Sequence, residues 1–182
     1  LLVAGFAQAA RRGRDLFSLT VCAGDQMLHD QSPTRRAMAD DLLNLPLTPT
    51  GHGIAALTAM AHDLPQDRIL VTLISDFELA PDELATLLSA LRPRPVLPIW
   101  LRDSGLETPP PHLGLVEVRD PESGHRRTVL TTRRWAMRQA QATHERHAAL
   151  RRVFAKHGLA PVEVIDSIDV ARLAASLDEA PL

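Results

Sequence analysis

The stretch ILVTLISDFE, residues 69–78, decides how this chain is read. From Ile69 to Ile74 the residues are almost entirely apolar and rich in branched side chains. No polar position alternates regularly with the apolar ones. A strand buried on both faces has that character, and such strands belong to parallel sheets covered by helices. The run then ends in Ser75, Asp76, Phe77 and Glu78. In open α/β sheets, sites form beyond the carboxyl ends of the strands, so strand position alone gives Asp76 a functional address. The competing structural reading is a cap on a turn or on the next helix, a frequent use of aspartate.

Outward from that strand, the pattern alternates. Ala80-Pro81-Asp82-Glu83 starts a helix with acids in its first turn, where the macrodipole favours them. Leu84, Leu87, Leu88 and Leu91 give it an i, i+3, i+4, i+7 stripe. VLPIW, 96–100, is the next strand, and its internal Pro98 predicts an edge or bulged position. A Pro-rich loop covers 103–112, and LVEV and RTVL, 115–118 and 127–130, read as a hairpin around DPESG. A long helix runs from about Thr132 to His157, closed by Gly158 and Pro161, followed by the strand VEVI, 162–165, and a closing helix from Val170 to Leu177. Toward the amino end, residues 1–12 read as an alanine-rich helix and LFSLTVC, 16–22, as a strand. Ser32-Pro33 predicts an N-cap with proline at the first helical position, and Met38, Leu42 and Leu45 share one face of the helix that would follow. Thr48 to Gly53 is a loop before another helix through Ile54, Leu57 and Ala61. Strands separated by helices predict an α/β sandwich with a mostly parallel sheet and helices on both faces.

Composition narrows the function. The chain has 182 residues, enough for one domain over 1–182. Its net charge of −2 gives no global attraction to nucleic acid or membrane. Six aromatics and no tyrosine (Trp 2, Phe 4) disfavour base stacking on single strands. No apolar run approaches the ~20 residues that span a bilayer. No signal-peptide pattern is present, and the lone Cys22 fits a reducing, cytoplasmic setting. The chain begins at Leu1, inside a helical pattern, so an incomplete amino end is expected.

Three chemistries compete for Asp76. As a metal ligand it would need further oxygens, which Ser75, Thr48 and Thr50 could supply to a hard divalent cation. As a phosphoacceptor it would need an acidic pair near the chain start and a strand-end lysine, yet the chain's lysine, Lys156, falls at a helix end. A hydrolase nucleophile elbow needs G-x-S-x-G, and the residues around Ser75 are L-I-S-D-F.

The run LISDFELAPDELATLLSAL, then VLPIW, then LVEVRDPESGHRRTVL and the long Arg- and Ala-rich helix, resembles a bacterial von Willebrand factor A-like domain. More closely, the order of elements from about Leu2 to Leu177 is similar to the domain-of-unknown-function family fifty-eight, often encoded beside MoxR-type AAA+ ATPases. The resemblance implies a Rossmann-like three-layer sandwich and a non-enzymatic role in binding a protein partner, with a MoxR-type ATPase as the expected one. It also implies a metal-ion-dependent adhesion site built from three segments. Asp76 matches the third, with Ser75 beside it, and Thr50 is the nearest hydroxyl for the second. The first segment, D-x-S-x-S on the first strand, is absent, because residues 1–12 match the helix that should follow it. The site is therefore expected to be degenerate, with no bound cofactor, since Mg²⁺ needs more than one carboxylate and one hydroxyl. The missing central strand would leave the strands at 16–22 and 69–74 to pair with each other or to expose edges.

Two other clusters stand out. His144-Glu145-Arg146-His147 has i, i+3 spacing, where a zinc helix needs i, i+4, so His147 reads as a semi-buried residue in the stripe Ala140, Thr143, His147, Leu150, Phe154. Arg126, Arg127, Arg133, Arg134 and Arg138 form a basic cluster, with Arg133 and Arg134 at a helix N-terminus that disfavours cations. The expected partner-binding residues are Asp76, Glu78, His52, Arg126, Arg127, Arg133 and Arg134. Binding is expected to use the loops near 47–53, 75–80 and 102–112, which carry His52, Asp76 and Glu78.

Overall fold

The computed structural model describes residues 2–23, 26–34, 54–65, 69–107, 114–119 and 126–169. The chain divides into two compact units, Leu1–Leu57 and Thr58–Leu182. In the first, helix α1 (Leu2–Gly13) carries Arg11 and Arg12 in its last turn, where the macrodipole favours them. It is followed by β1 (Phe17–Ala23) and β2 (Gln26–Thr34), an antiparallel pair.

Strand β2 corrects two expectations. Ser32-Pro33 does not open a helix, and the strand at 16–22 pairs antiparallel rather than in a parallel sheet. The physical reason is local pairing: Ala23 pairs with Gln26 and Cys22 with Met27, so β1 forms its ladder with the segment that follows it directly in the chain. Phe17 pairs with Thr34 but Leu19 with Gln31, so Ser32 and Pro33 fall in a bulge, where a missing N–H costs no ladder bond. The helix expected after Pro33, through Met38, Leu42 and Leu45, lies outside the described residues, as does the closing helix at 170–177. Helix α2 (Ala55–Asp63) follows.

The second unit is mixed α/β. Its strands β3 (Val71–Ser75), β4 (Val96–Arg102) and β7 (Val162–Ile165) form a parallel sheet in the order β3-β4-β7. Between them come α3 (Pro81–Leu91), the single turn α4 (Ser104–Glu107), the hairpin β5 (Gly114–Arg119) and β6 (Arg126–Thr131), and α5 (Arg133–Lys156). This layout is compatible with a Rossmann-like fold. Among the described residues, no helix is long and apolar enough to cross a membrane.

Each element follows from its sequence. Pro81 opens α3, and the Ala80 N–H donates to the Glu83 carboxylate at 2.9 Å. The predicted stripe, Leu84, Leu87, Leu88 and Leu91, is fully buried, and α3 packs on α5. Beyond α3, the buried Arg94 donates to the carbonyl of Leu91 at the helix end and to those of Leu64 and Pro65, which follow α2. Strand β4 is buried from Leu97 to Trp100 and has neighbours on both sides. Pro98 is therefore not on an edge strand. It faces Leu73 in register, while β7 begins pairing only at Ile99, so the ring's missing N–H falls where one ladder has not yet begun.

The core centres on the far end of β4. Trp100 is 1% exposed, with Phe77 6.2 Å away and perpendicular, Phe154 at 6.4 Å, and the His147 ring at 5.0 Å. Edge-to-face pairs of this kind add about 0.5–1.5 kcal/mol each beyond their buried area. Truncating the indole removes these contacts and leaves a cavity. Trp100→Ala is expected to lower unfolding free energy by about 3–5 kcal/mol. The neighbouring half-exposed Leu101→Ala should cost far less. Urea titration of both variants checks this, and equal losses would contradict the assignment of Trp100 as the core anchor.

Candidate functional site

Asp76 follows the last residue of β3, at the carboxyl end of the parallel sheet, as the sequence predicts. The turn that carries it is tight. Ser75 Oγ accepts from the Phe77 N–H at 3.0 Å, and Asp76 Oδ1 accepts from the Glu78 N–H at 3.2 Å. These are the local side-chain turns that Ser and Asp favour. Phe77 sits between them at φ 50°, in the left-handed region. A bulky residue there is strained by roughly 1–3 kcal/mol. Burial offsets that strain: Phe77 is fully buried, with Phe154 5.1 Å away and perpendicular. Trp100 Nε1 also donates to the Asp76 carbonyl at 2.9 Å. The turn is thus clamped from inside by Phe77 and presents Asp76 and Glu78 outward, both exposed.

Glu78 is engaged within the fold, because Arg146 on α5 forms a two-pronged ion pair with its carboxylate. The other two strand ends also carry aspartates. Asp103 Oδ1 accepts from the N–H groups of Gly105 at 2.8 Å and Leu106 at 3.3 Å, capping α4. Asp166, at φ 58°, accepts from Ser104 N–H at 2.8 Å and Ser104 Oγ at 2.7 Å, bonds that hold its carboxyl below the usual range. Each carboxylate has local work. Among the described residues, no three His, Cys, Asp or Glu side chains converge as a metal site. Thr50 and His52 lie outside the described residues. Of the ligands the resemblance implies, the described residues include Asp76 and Ser75, one carboxylate and one hydroxyl.

Sequence reasoning missed the charged network beside this turn. Arg102, at the end of β4, makes a two-pronged bond to Glu107 of α4, with Nε to Oε1 at 2.7 Å, and also pairs with Glu163 of β7. Arg151 of α5 closes on Glu163 from the other side at 2.8 and 2.9 Å. The two guanidiniums lie 5.7 and 5.5 Å from the Trp100 ring centre. Hydrogen bonds from Arg102 hold Glu107 below the usual carboxylate range, and those from Arg151 do the same for Glu163. Arg102 is held still more firmly in its charged form by Glu107. The one signal in the sequence was a charge inside an apolar strand: Glu163 in VEVI.

His147 joins this network from α5. Its Nε2 lies 3.8 Å from Glu107 Oε1, and the side chain is buried, as its stripe predicts. The arginine cluster is more scattered. Arg126 pairs with Glu117 across the hairpin at 3.1 Å, Arg127 lies in β6 opposite Val118, and Arg133 and Arg134 begin α5 after the N-cap Thr132, whose Oγ1 accepts from Trp135 N–H at 3.1 Å. An open cleft of about 380 Å³, lined by Leu88, Arg92, Val96, His157 and Leu159, lies at the opposite, amino end of the sheet.

A protein of Paracoccus denitrificans, described as an uncharacterized protein in the moxR 3′ region, is 71% identical over 105 residues. The match covers 58% of this chain and the whole of that relative, so the chain belongs to the same family as that protein. No protein-family model matches, and no solved structure matches.

Burial first, then the facing charges of Arg102, Arg146 and Arg151, hold His147 below its ordinary value of 6.5, while Glu107 pulls the other way. The unfolded chain therefore binds a proton that the folded chain refuses. Stability is full above the unfolded value of 6.5 and is lost as pH falls through the folded value. Urea midpoints between about pH 7.5 and 5 should fall for the native chain and fall less for His147→Gln. Parallel slopes for the two would refute the buried neutral histidine.

Proposed function

We propose that this protein is a non-catalytic interaction module of von Willebrand factor A type whose partner is a MoxR-type AAA+ ATPase. The observation that carries the proposal is the likeness to the Paracoccus protein, whose description puts it in the moxR 3′ region. Neighbouring genes commonly encode proteins that work together. The Rossmann-like layout of the second unit and the resemblance of the SDFE turn and hairpin to such domains support the same reading.

The docking surface is the carboxyl end of the parallel sheet, centred on Asp76, with the turn at 75–80 and residues 102–107 around it. The support is physical. A turn strained at Phe77 and clamped by Trp100 is pre-organised, so a partner would not have to order it on binding. Asp76 is exposed, and among the described residues its side chain bonds only within its own turn. A lysine or arginine of a partner could take its free oxygen without disturbing the core. Glu78 contributes indirectly, by fixing the turn to α5 through Arg146. We infer that docking uses no metal, since Asp76 is a single carboxylate and Mg²⁺ is strongly hydrated.

The test is capture of the neighbouring-gene ATPase by the immobilised full chain. Asp76→Lys should weaken capture at least about tenfold, some 1.4 kcal/mol, with an unchanged melting temperature. EDTA and millimolar Mg²⁺ should leave both capture and melting unaltered. Undiminished capture by Asp76→Lys would remove Asp76 from the interface. A melting temperature that rises with Mg²⁺ in the native chain but not in Asp76→Ala would overturn the metal-free mode.

A further inference from the structure

The hairpin β5–β6 has two unlike faces. On one, Val116 and Val129 are half-buried and Thr131 is buried. On the other, Leu115 and Leu130 stand directly opposite each other and are 75% and 61% exposed. Such a cross-strand pair brings two side chains within about 5 Å, forming one apolar spot rather than two scattered leucines. Glu117 and Thr128 continue the same exposed face, and Arg126 reaches Glu117 from the next pair along. Three residues after Leu130 the chain enters α5 with Arg133 and Arg134, both exposed. One turn on come Met137, 68% exposed, and Arg138. No acidic residue stands in the first turn of α5, where one would be favoured.

We infer that this face is a second docking surface, one that binds an extended acidic segment of a protein partner by adding it as a strand to the hairpin. Among the described residues, β5 and β6 have only each other as sheet partners. A two-stranded ribbon is marginal, and a third strand is the usual remedy. Apolar residues at alternate positions of the added segment would cover Leu115 and Leu130. Its carboxylates would meet Arg133, Arg134 and Arg138, which have no ion-pair partner among the described residues. The arginines fix the sign of the partner. Glu117 on the exposed face argues for a protein segment over an anionic membrane, since a lipid surface would repel it while a peptide can place a polar residue opposite it.

The experiment uses the full chain and a labelled peptide that alternates valine and glutamate, followed by fluorescence anisotropy. A valine–lysine peptide and phosphatidylserine vesicles are the comparison probes. The acidic peptide should bind, with an affinity that falls as salt rises, and the lysine peptide should not. Leu130→Glu, and separately the pair Arg133→Gln and Arg134→Gln, should each weaken binding at least about tenfold. All three positions are exposed, so folding is expected to survive, which circular dichroism checks. Asp76→Lys should leave peptide binding unchanged, so loss of ATPase capture with retained peptide binding separates this surface from the sheet-end site. No binding of the acidic peptide, equal binding by the native chain and both variants, or preference for the vesicles would each overturn the inference.

Discussion

The indole of Trp100 is buried in the middle strand of the parallel sheet and donates its N–H to the carbonyl of Asp76, one strand away. Phe77, the next residue, turns back onto the indole at φ 50°. From the other side His147 and Phe154 bring α5 against the same ring. One side chain therefore joins the central strand, the exposed turn and the longest helix. A buried Trp whose N–H finds a partner combines a large apolar area with a directional bond. The turn's strain and the helix's placement both depend on it.

Around this apolar centre runs a polar rim that ties further elements to it. Glu107, Arg102, Glu163 and Arg151 alternate in sign across α4, β4, β7 and α5, with Trp100 beneath both guanidiniums. Partly buried charges are costly alone, and breaking such a pair leaves the survivor uncompensated. The rim therefore acts more on specificity of arrangement than on net stability. It fixes where α4 sits and so fixes the second strand-end loop. His147, buried against the same rim, is held below its ordinary range by burial and by three arginines, with Glu107 opposing them, which ties the arrangement to pH.

Much of the second unit was legible. The continuous apolar run at 69–74 foretold a parallel strand, and the leucine stripe foretold the buried face of α3, because both periods report burial directly. The address of Asp76 followed from the strand. The stripe ending in His147, Leu150 and Phe154 was legible for the same reason. The rest failed for identifiable causes. Ser32-Pro33 looks like a helix start in isolation, but antiparallel pairing with the strand just before it outranked that signal, and a bulge accommodated the proline. Pro98 looked like an edge marker, but one missing N–H needs only one place in the ladder where no partner stands. The Arg102 network was invisible because its partners are up to 61 residues apart. Only a fold brings Glu107 and Glu163 to one guanidinium.

The proposed docking of a MoxR-type ATPase on the carboxyl end of this sheet can be read by hydrogen–deuterium exchange of the full chain, with and without the ATPase. Exchange should slow only at amides near 75–80 and 102–107, with the amides of β3 and β4 already slow in the free chain. Complex formation with no protection at those amides would contradict it.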